Sequence, residues 1–482
     1  MNIFDIIIIL AYFVGMIVLG LVASRRQKDA DDYYVGGRSM SAFKIGALWM
    51  AGWIGGSSVI GTSSNSYNMG ITGAWYVASI AIGCLAFGLI MAKPIKRISV
   101  KLNSITFPEL ISRRYDSRTG TMASITTILA MIGYTASQFV AGGAILNVLT
   151  GWDLGICYII AAVVIVFYVS TGGLLAVTYT DVVQMFLLLL GVVVLAVPLA
   201  GSYLSNAGLS IRTDLPAEYF NIGSWGWGTI FALGLSTVFS FFTCMDSYTR
   251  CIAAKDARAA RKGTIYAALL VVVVAGAATY LGMAGRLILP DLESGNSVVA
   301  ALVVKIFPHG LKGLVLIGVL SAIMSTADIS VLTGSASFTK DIYQRYYNPE
   351  ADDKKLVKVG VIASFVIGAI GAMFGWFTQN IMDILLITFT INSAGLFLPT
   401  ICSFFWKKSC ALGAFVSMIS STLITVIWYL GGRISNFQIF NVDALWPAFG
   451  ISAVLYLIIC FSHKQTPEEI RKAEEFFAAH EQ

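Results

Sequence analysis

Apolar runs of about 20 residues recur from one end of this chain to the other, and that recurrence restricts the fold more than any other feature. Each run can cross a hydrocarbon core about 30 Å thick at about 1.5 Å per helical residue. Thirteen are read, at 3–22, 45–70, 74–92, 119–149, 154–170, 174–202, 225–249, 263–285, 310–337, 356–376, 381–404, 410–430 and 445–461. Hydrophobic residues make up 57% of the chain and charged residues 12%, about half the charge of an ordinary soluble domain. A soluble chain of 482 residues would divide into roughly two or three domains joined by polar linkers, and such linkers are missing. The expectation is an all-α polytopic membrane protein. A single transmembrane domain covers 1–461, with its core at about 45–404. A short tail, 462–482, reads as an amphipathic cytoplasmic helix. The first run, from Ile3 to Val22, is read as a true span, because its basic cluster (Arg25, Arg26, Lys28) follows it rather than preceding it.

An odd number of spans puts the two termini on opposite sides, and the basic residues choose the sides. With the N-terminus outside, segments 25–44, 93–118, 250–262, 340–358, 407–408 and 464–472 are cytoplasmic and hold 27 of the 32 Lys and Arg. The outer set is Arg212, Arg286, Lys305, Lys312 and Arg433. The net charge of +6 is thus a positive-inside bias rather than a nucleic-acid surface. A multi-pass protein of the cell membrane with a cytoplasmic C-terminus is expected.

Several functions are disfavoured. The seven cysteines (84, 157, 244, 251, 402, 410 and 460) lie in or beside spans without a C-x-x-C pair, so they read as apolar filler rather than a metal or disulfide framework. The three histidines sit in loops or the tail, and no span pairs a carboxylate with a histidine, so an enzyme is not expected. A Walker-type phosphate loop is absent, which leaves ATP-driven pumping without an engine. No cofactor, nucleic acid or obligatory protein partner is implied.

Polar residues at membrane depth carry the functional signal, because a charge there costs about 2.5–3.5 kcal/mol on insertion scales. Asp181 opens a span, Asp246 and Asp383 lie near span ends, and Asp328 lies deeper. The second span carries glycines at 46, 52, 55, 56 and 61 and a polar run from Thr62 to Asn68. A helix of that content is expected to unwind midway, and the freed carbonyls then line a cavity or meet an ion. Close helix packing through small residues is the competing reading. In the ninth span Ser325 and Thr326 are adjacent hydroxyls, and with the Ala322 carbonyl they offer three oxygens to a hard cation such as Na⁺. The alternative is that both bond back to their own helix. No Lys or Arg falls near the break, so freed backbone amides are left to meet a carboxylate.

Three stretches carry a resemblance. They are DDYYVGGR (Asp31–Arg38), TGGLLAVTYTDVVQ (Thr171–Gln184) and SAIMSTAD (Ser321–Asp328). In type, order and spacing they resemble the sodium:solute symporter family, which includes sodium/proline and sodium/galactose transporters. The resemblance extends to about residue 461. It implies a five-plus-five inverted-repeat (LeuT-like) core, pairing spans 2–6 with 7–11, with one helix before and two after. The polar residues Ser236, Thr237 and Ser240 mark an interruption in the seventh span.

The resemblance also implies a sodium site of the Ala51 and Ile54 carbonyls, the Ala322 carbonyl, and the Ser325 and Thr326 hydroxyls. It gives Asp181 a part in cation affinity, although an aspartate there could equally cap the sixth helix. The sodium/proline members have an aspartate where this chain has Trp53, and Trp, Tyr and Pro where it has Thr237, Phe241 and Met245. Proline is therefore disfavoured as the solute.

The expected function is Na⁺-coupled import of a small organic solute by alternating access, with Na⁺ as coupling ion. Carboxylates, amino acids and similar solutes stay open. Trp53, Ser57, Tyr134, Gln138, Phe241 and Asn392 are the solute-contact candidates, each equally compatible with helix packing. Proton coupling through Asp181 or Asp328, or uncoupled transport on the same fold, is the alternative. A channel or sensor is the more distant one.

Overall fold

The computed structural model describes residues 3–24, 38–102, 104, 106–169, 173–308, 310–378, 380–434 and 441–481. Most of the Asp31–Arg38 stretch, and residues 171–172, lie outside them. Every extended apolar run is helical, and no strand occurs among the described residues. In chain order the spans are Ile3–Ser24; Ala42–Trp53 with Gly56–Met69; Trp75–Ile90; Ser117–Thr150; Leu154–Val169; Gly173–Leu188 continuing to Asn206; Trp227–Thr243 with Met245–Ala253; Ala257–Ile288; Leu311–Ser337; Asp353–Phe377; Ile381–Ser393 with Phe397–Phe405; Ala411–Ile434; and Leu445–Ser462. Nine helices among the described residues are long and apolar enough to cross a bilayer, and the bent seventh pair makes a tenth. The others are the first helix, the shorter fifth, and the broken second. The second turns back at Gly70, whose φ of 74° suits glycine. The reversal is visible against the eighth span: the Gly46 backbone lies by Gly263, Ser63 Oγ donates to the Ala278 carbonyl, and Cys84 Sγ returns to the Thr264 carbonyl.

The two halves pack reciprocally. The third span lies on the seventh, and the eighth lies on the second. The eleventh lies on the fourth, and the sixth lies on the ninth. Each half also opens with a broken helix, one interrupted at Ile54–Gly55 and the other at Cys244. This is the expected pairing of spans 2–6 with 7–11. The seventh-span break falls past the polar residues that suggested it. Ser236 Oγ bonds back to the Leu233 carbonyl within its own helix, and Ser240 Oγ crosses to the Phe389 carbonyl. The fourth and ninth spans lie against each other at the centre, and their apolar windows are 89% and 94% buried, against 28% for the last span.

Arg38, the described end of the first family stretch, donates to the Ser99 and Ser104 carbonyls. It ties that loop to the face where basic residues concentrate. The tail helix Pro467–Glu481 packs against the helices Ala92–Lys101 and Phe107–Arg114 of this basic face. Its start is a capping box: Thr466 Oγ1 accepts from the Glu469 N–H, and Glu469 Oε2 accepts from the Thr466 N–H at 2.8 Å. Phe476 packs edge-on against Phe404, and Lys472 Nζ donates to the Tyr115 carbonyl.

His463 closes the motif against Glu469 at 3.0 Å, and this hydrogen bond holds its pKa above the ordinary histidine value. A raised folded-state pKa stabilises below about 6.5, the unfolded value, and the effect is lost as pH rises through the folded value. The tail should therefore dock more firmly at pH 6 than at pH 8. Hydrogen exchange of residues 467–481, corrected for intrinsic rates, should show this in wild type and not in His463→Ala. An equal pH response in the variant would count against it.

Candidate functional site

The break in the second span frees backbone groups, and most can be followed to a partner. Its first half ends when the Ile54 N–H reaches the Met50 carbonyl. The last four carbonyls of a helix have no partner of their own. Here the Trp53 carbonyl accepts from Ser58 Oγ at 2.8 Å and the Gly52 carbonyl from the Tyr134 hydroxyl at 3.4 Å. The Ala51 carbonyl accepts two hydroxyls of the ninth span, Ser325 at 3.0 Å and Thr326 at 2.9 Å. Ser325 Oγ also lies 3.1 Å from the Ala322 carbonyl of its own turn. Among the described residues none donates to the Ile54 carbonyl. Four of the five oxygens expected at a sodium site thus converge, and the fifth belongs to the residue at the break itself.

Close approach makes this possible. A Cβ on Gly55 would lie 2.7 Å from Thr326 Cβ and 2.8 Å from Gln138 Oε1. The helix therefore breaks and packs closely at the same glycine. Gly55→Ala should force Thr326 away, cost about 1–3 kcal/mol by overpacking, and weaken the thermal stabilisation given by Na⁺. Gly276→Ala, which meets nothing within 4 Å, is the control. Equal Na⁺ responses in the two variants would contradict the assignment.

Beside the break lies a cavity of about 10 Å³, roughly the room one water needs. Trp53, Tyr134 and Asn392 line it, as do Asp246, Thr388 and Phe389. Gln138 and Ser57 do not. They bond each other, Gln138 Nε2 donating to Ser57 Oγ at 2.7 Å, while Gln138 Oε1 takes the Ser57 N–H freed at the second half's start. Phe241 lies flat on Trp53 with ring centroids 3.8 Å apart, behind the cavity wall. A wider cavity of about 520 Å³ opens toward the other face, lined by Asn147, Tyr158, Asp291 and Glu293 among others.

Two expectations are corrected. Arg250 is a buried side chain rather than a loop charge. It is 2% exposed, pairs with Asp246 at 2.8 Å and stacks over Trp49 of the broken helix at 4.9 Å. A cation therefore does lie near the break. The apolar run ends at residue 249, but the helix continues past Cys244 to Ala253. Asp181 cannot cap the sixth helix, which has already begun at Gly173. Both Asp181 oxygens are buried without a hydrogen-bond partner, as are those of Asp328. Tyr12 of the first span stands near both, accepting from Gln184 Nε2 at 3.1 Å.

Discontinuous helices meeting at mid-depth, around freed carbonyls and a small cavity, define the architecture of a secondary transporter. Residues 33–421 match the sodium:solute symporter family, and the chain belongs to that family. It is 26% identical over 466 residues to a sodium/pantothenate symporter of Escherichia coli (strain K12), covering 93% of this chain and 95% of that one. It is 25% identical over 436 residues to the high-affinity proline transporter PutP of Bacillus subtilis (strain 168), covering 86% and 90%. Against a sodium/glucose cotransporter of Vibrio parahaemolyticus the identity is 28% over 461 residues, covering 86% and 83%. Among solved structures, a Na⁺-coupled sialic acid symporter in a substrate-bound outward-open state superposes with a TM-score of 0.77 at 20% identity, covering 96% and 98%. A nucleobase-cation-symport-1 family transporter in a closed conformation gives 0.58 at 16%, covering 92% and 98%. The inverted-repeat fold is shared with both.

Proposed function

We propose that this protein imports a small organic solute together with Na⁺ across the cell membrane, with the basic face cytoplasmic and the N-terminus outside. The observation that carries the reading is the Ala51 carbonyl, released by the helix break and met by both Ser325 and Thr326. A hard cation among Ala51, Ile54, Ala322, Ser325 and Thr326 would bridge the second and ninth spans, one from each repeat. Binding there favours the conformer in which the two spans are together, and loss of the ion into low-sodium cytoplasm releases it. Each charge moved inward contributes about 2.3 kcal/mol per 100 mV. The relatives named above carry pantothenate, proline or glucose by name, so family membership leaves the solute open. Trp53 in place of the aspartate, together with Thr237, Phe241 and Met245, keeps proline disfavoured.

The partnerless carboxyls of Asp181 and Asp328 support a second reading, coupling to protons instead. Thermal unfolding of the purified protein against a metabolite panel, with and without Na⁺ at fixed pH, separates the two. Na⁺-dependent stabilisation by a solute is the expected result. Stabilisation that follows pH and ignores Na⁺ would favour the carboxyl pair.

A further inference from the structure

Asp246 and Arg250 occupy consecutive turns of the helix beyond the seventh-span break and pair at 2.8 Å along one face of it. The Arg250 side chain is 2% exposed and the Asp246 side chain 10%. Asp246 forms part of the central cavity wall and Arg250 does not. Arg250 instead lines a second small cavity with Leu48, Thr249 and Thr333, and Asp246 and Ile329 belong to both walls. Asp246 thus borders the central cavity, with the guanidinium 2.8 Å from its carboxylate on the side of the second one. Gly52 makes room for this, since a Cβ there would strike Arg250 Nη2.

Two more polar atoms on residues of that wall, Thr388 Oγ1 and Asn392 Oδ1, are buried without a hydrogen-bond partner in the protein, while the Trp53 indole stands against the Asp246 carboxylate. An unpartnered buried group costs about 1–3 kcal/mol, so these atoms gain most from whatever enters. With Asp246 the set is rich in acceptors, because a carboxylate and an amide oxygen face one indole N–H and one hydroxyl. No Lys or Arg lines the cavity. Three aromatic rings surround these atoms. Trp53, Tyr134 and Phe389 have centroids 5.7 to 6.3 Å apart, and their faces attract cations.

We propose that Asp246 contacts the solute and selects for a cationic nitrogen presented to this ring-lined wall, with Arg250 as the residue that positions its carboxylate. This rests on the symport reading above and adds the chemistry of one end of the solute. An anionic end meets no Lys or Arg on that wall.

The test uses the full-length protein in detergent, with thermal unfolding as the readout. Glycine betaine, γ-aminobutyrate and L-alanine are compared with their carbon isosteres, 3,3-dimethylbutanoate, pentanoate and isobutyrate, each with and without Na⁺. At least one nitrogen-bearing probe is expected to stabilise in Na⁺ while its isostere does not. Asp246→Asn should weaken that response at least tenfold in probe concentration and keep the shift given by Na⁺ alone. If Asp246→Asn fails to fold around an unpaired Arg250, the paired Asp246→Asn/Arg250→Gln variant, with neither charge, carries the comparison. Equal stabilisation by an isostere would overturn the assignment. So would a response within twofold of wild type in the variant, or no response to any probe in protein that still responds to Na⁺. A wild type that ignores Na⁺ would instead overturn the symport reading.

Discussion

Replacing Ser325 and Thr326 together by alanine is expected to raise the Na⁺ concentration for half-maximal uptake at least tenfold. The two hydroxyls supply two of the five oxygens proposed for the ion, and both now donate to the Ala51 carbonyl. A hydrogen bond or dipole contact to a charged group contributes about 1.5–3 kcal/mol. Losing two of them, even with water replacing part of the loss, exceeds the ~1.4 kcal/mol of a tenfold change. Thr326→Ser keeps the oxygen and should stay near wild type. The double variant should still fold, because neutral side-chain bonds of this kind contribute only about 0.5–1.5 kcal/mol each. An unchanged Na⁺ dependence in folded double variant would remove the site.

Arg250→Ala should be among the most damaging single substitutions in the chain. It leaves Asp246 as an uncompensated buried carboxylate, which costs about 3–5 kcal/mol when one partner of a buried pair is removed. It also removes the cation from the face of Trp49. Neutralising both partners at once should cost much less, since a buried pair and its uncharged replacement are often close in stability. Thermal unfolding in detergent measures both. If Arg250→Ala melts with wild type, the pair is not the buried contact described.

The architecture was largely legible because the bilayer imposes it. Apolar run length and the one-sided basic residues marked out the spans. The break at Gly55 was legible for a similar reason: two glycines followed by two serines in an apolar helix leave backbone groups that must find partners. The convergence of Ser325 and Thr326 on Ala51 was not readable from spacing alone, because serine and threonine more often bond back within a helix. Ser330 does so here, to the Thr326 carbonyl. Family resemblance supplied that pairing.

Arg250 was misplaced because hydropathy sees the end of an apolar run, not a helix that continues past a bend. Asp181 was misplaced although the span's start was read within a residue of Gly173, because a position eight residues into a helix was treated as its cap. Half of the solute candidates face the cavity. Thr388 and Phe389 were missed because a wall shared by five spans depends on how they cross, which no single helix pattern records. Acceptors on one wall and an Asp–Arg pair at i, i+4 were the available signals.

Coupling to Na⁺ is tested most directly in reconstituted protein. Proteoliposomes are loaded without Na⁺, the membrane potential and pH are clamped equal on both sides, and a solute found by Na⁺-dependent stabilisation is supplied outside. An inward Na⁺ gradient should drive its accumulation above the external concentration, and equal Na⁺ on both sides should abolish that accumulation. Accumulation that ignores the Na⁺ gradient but follows an imposed pH gradient would contradict the account.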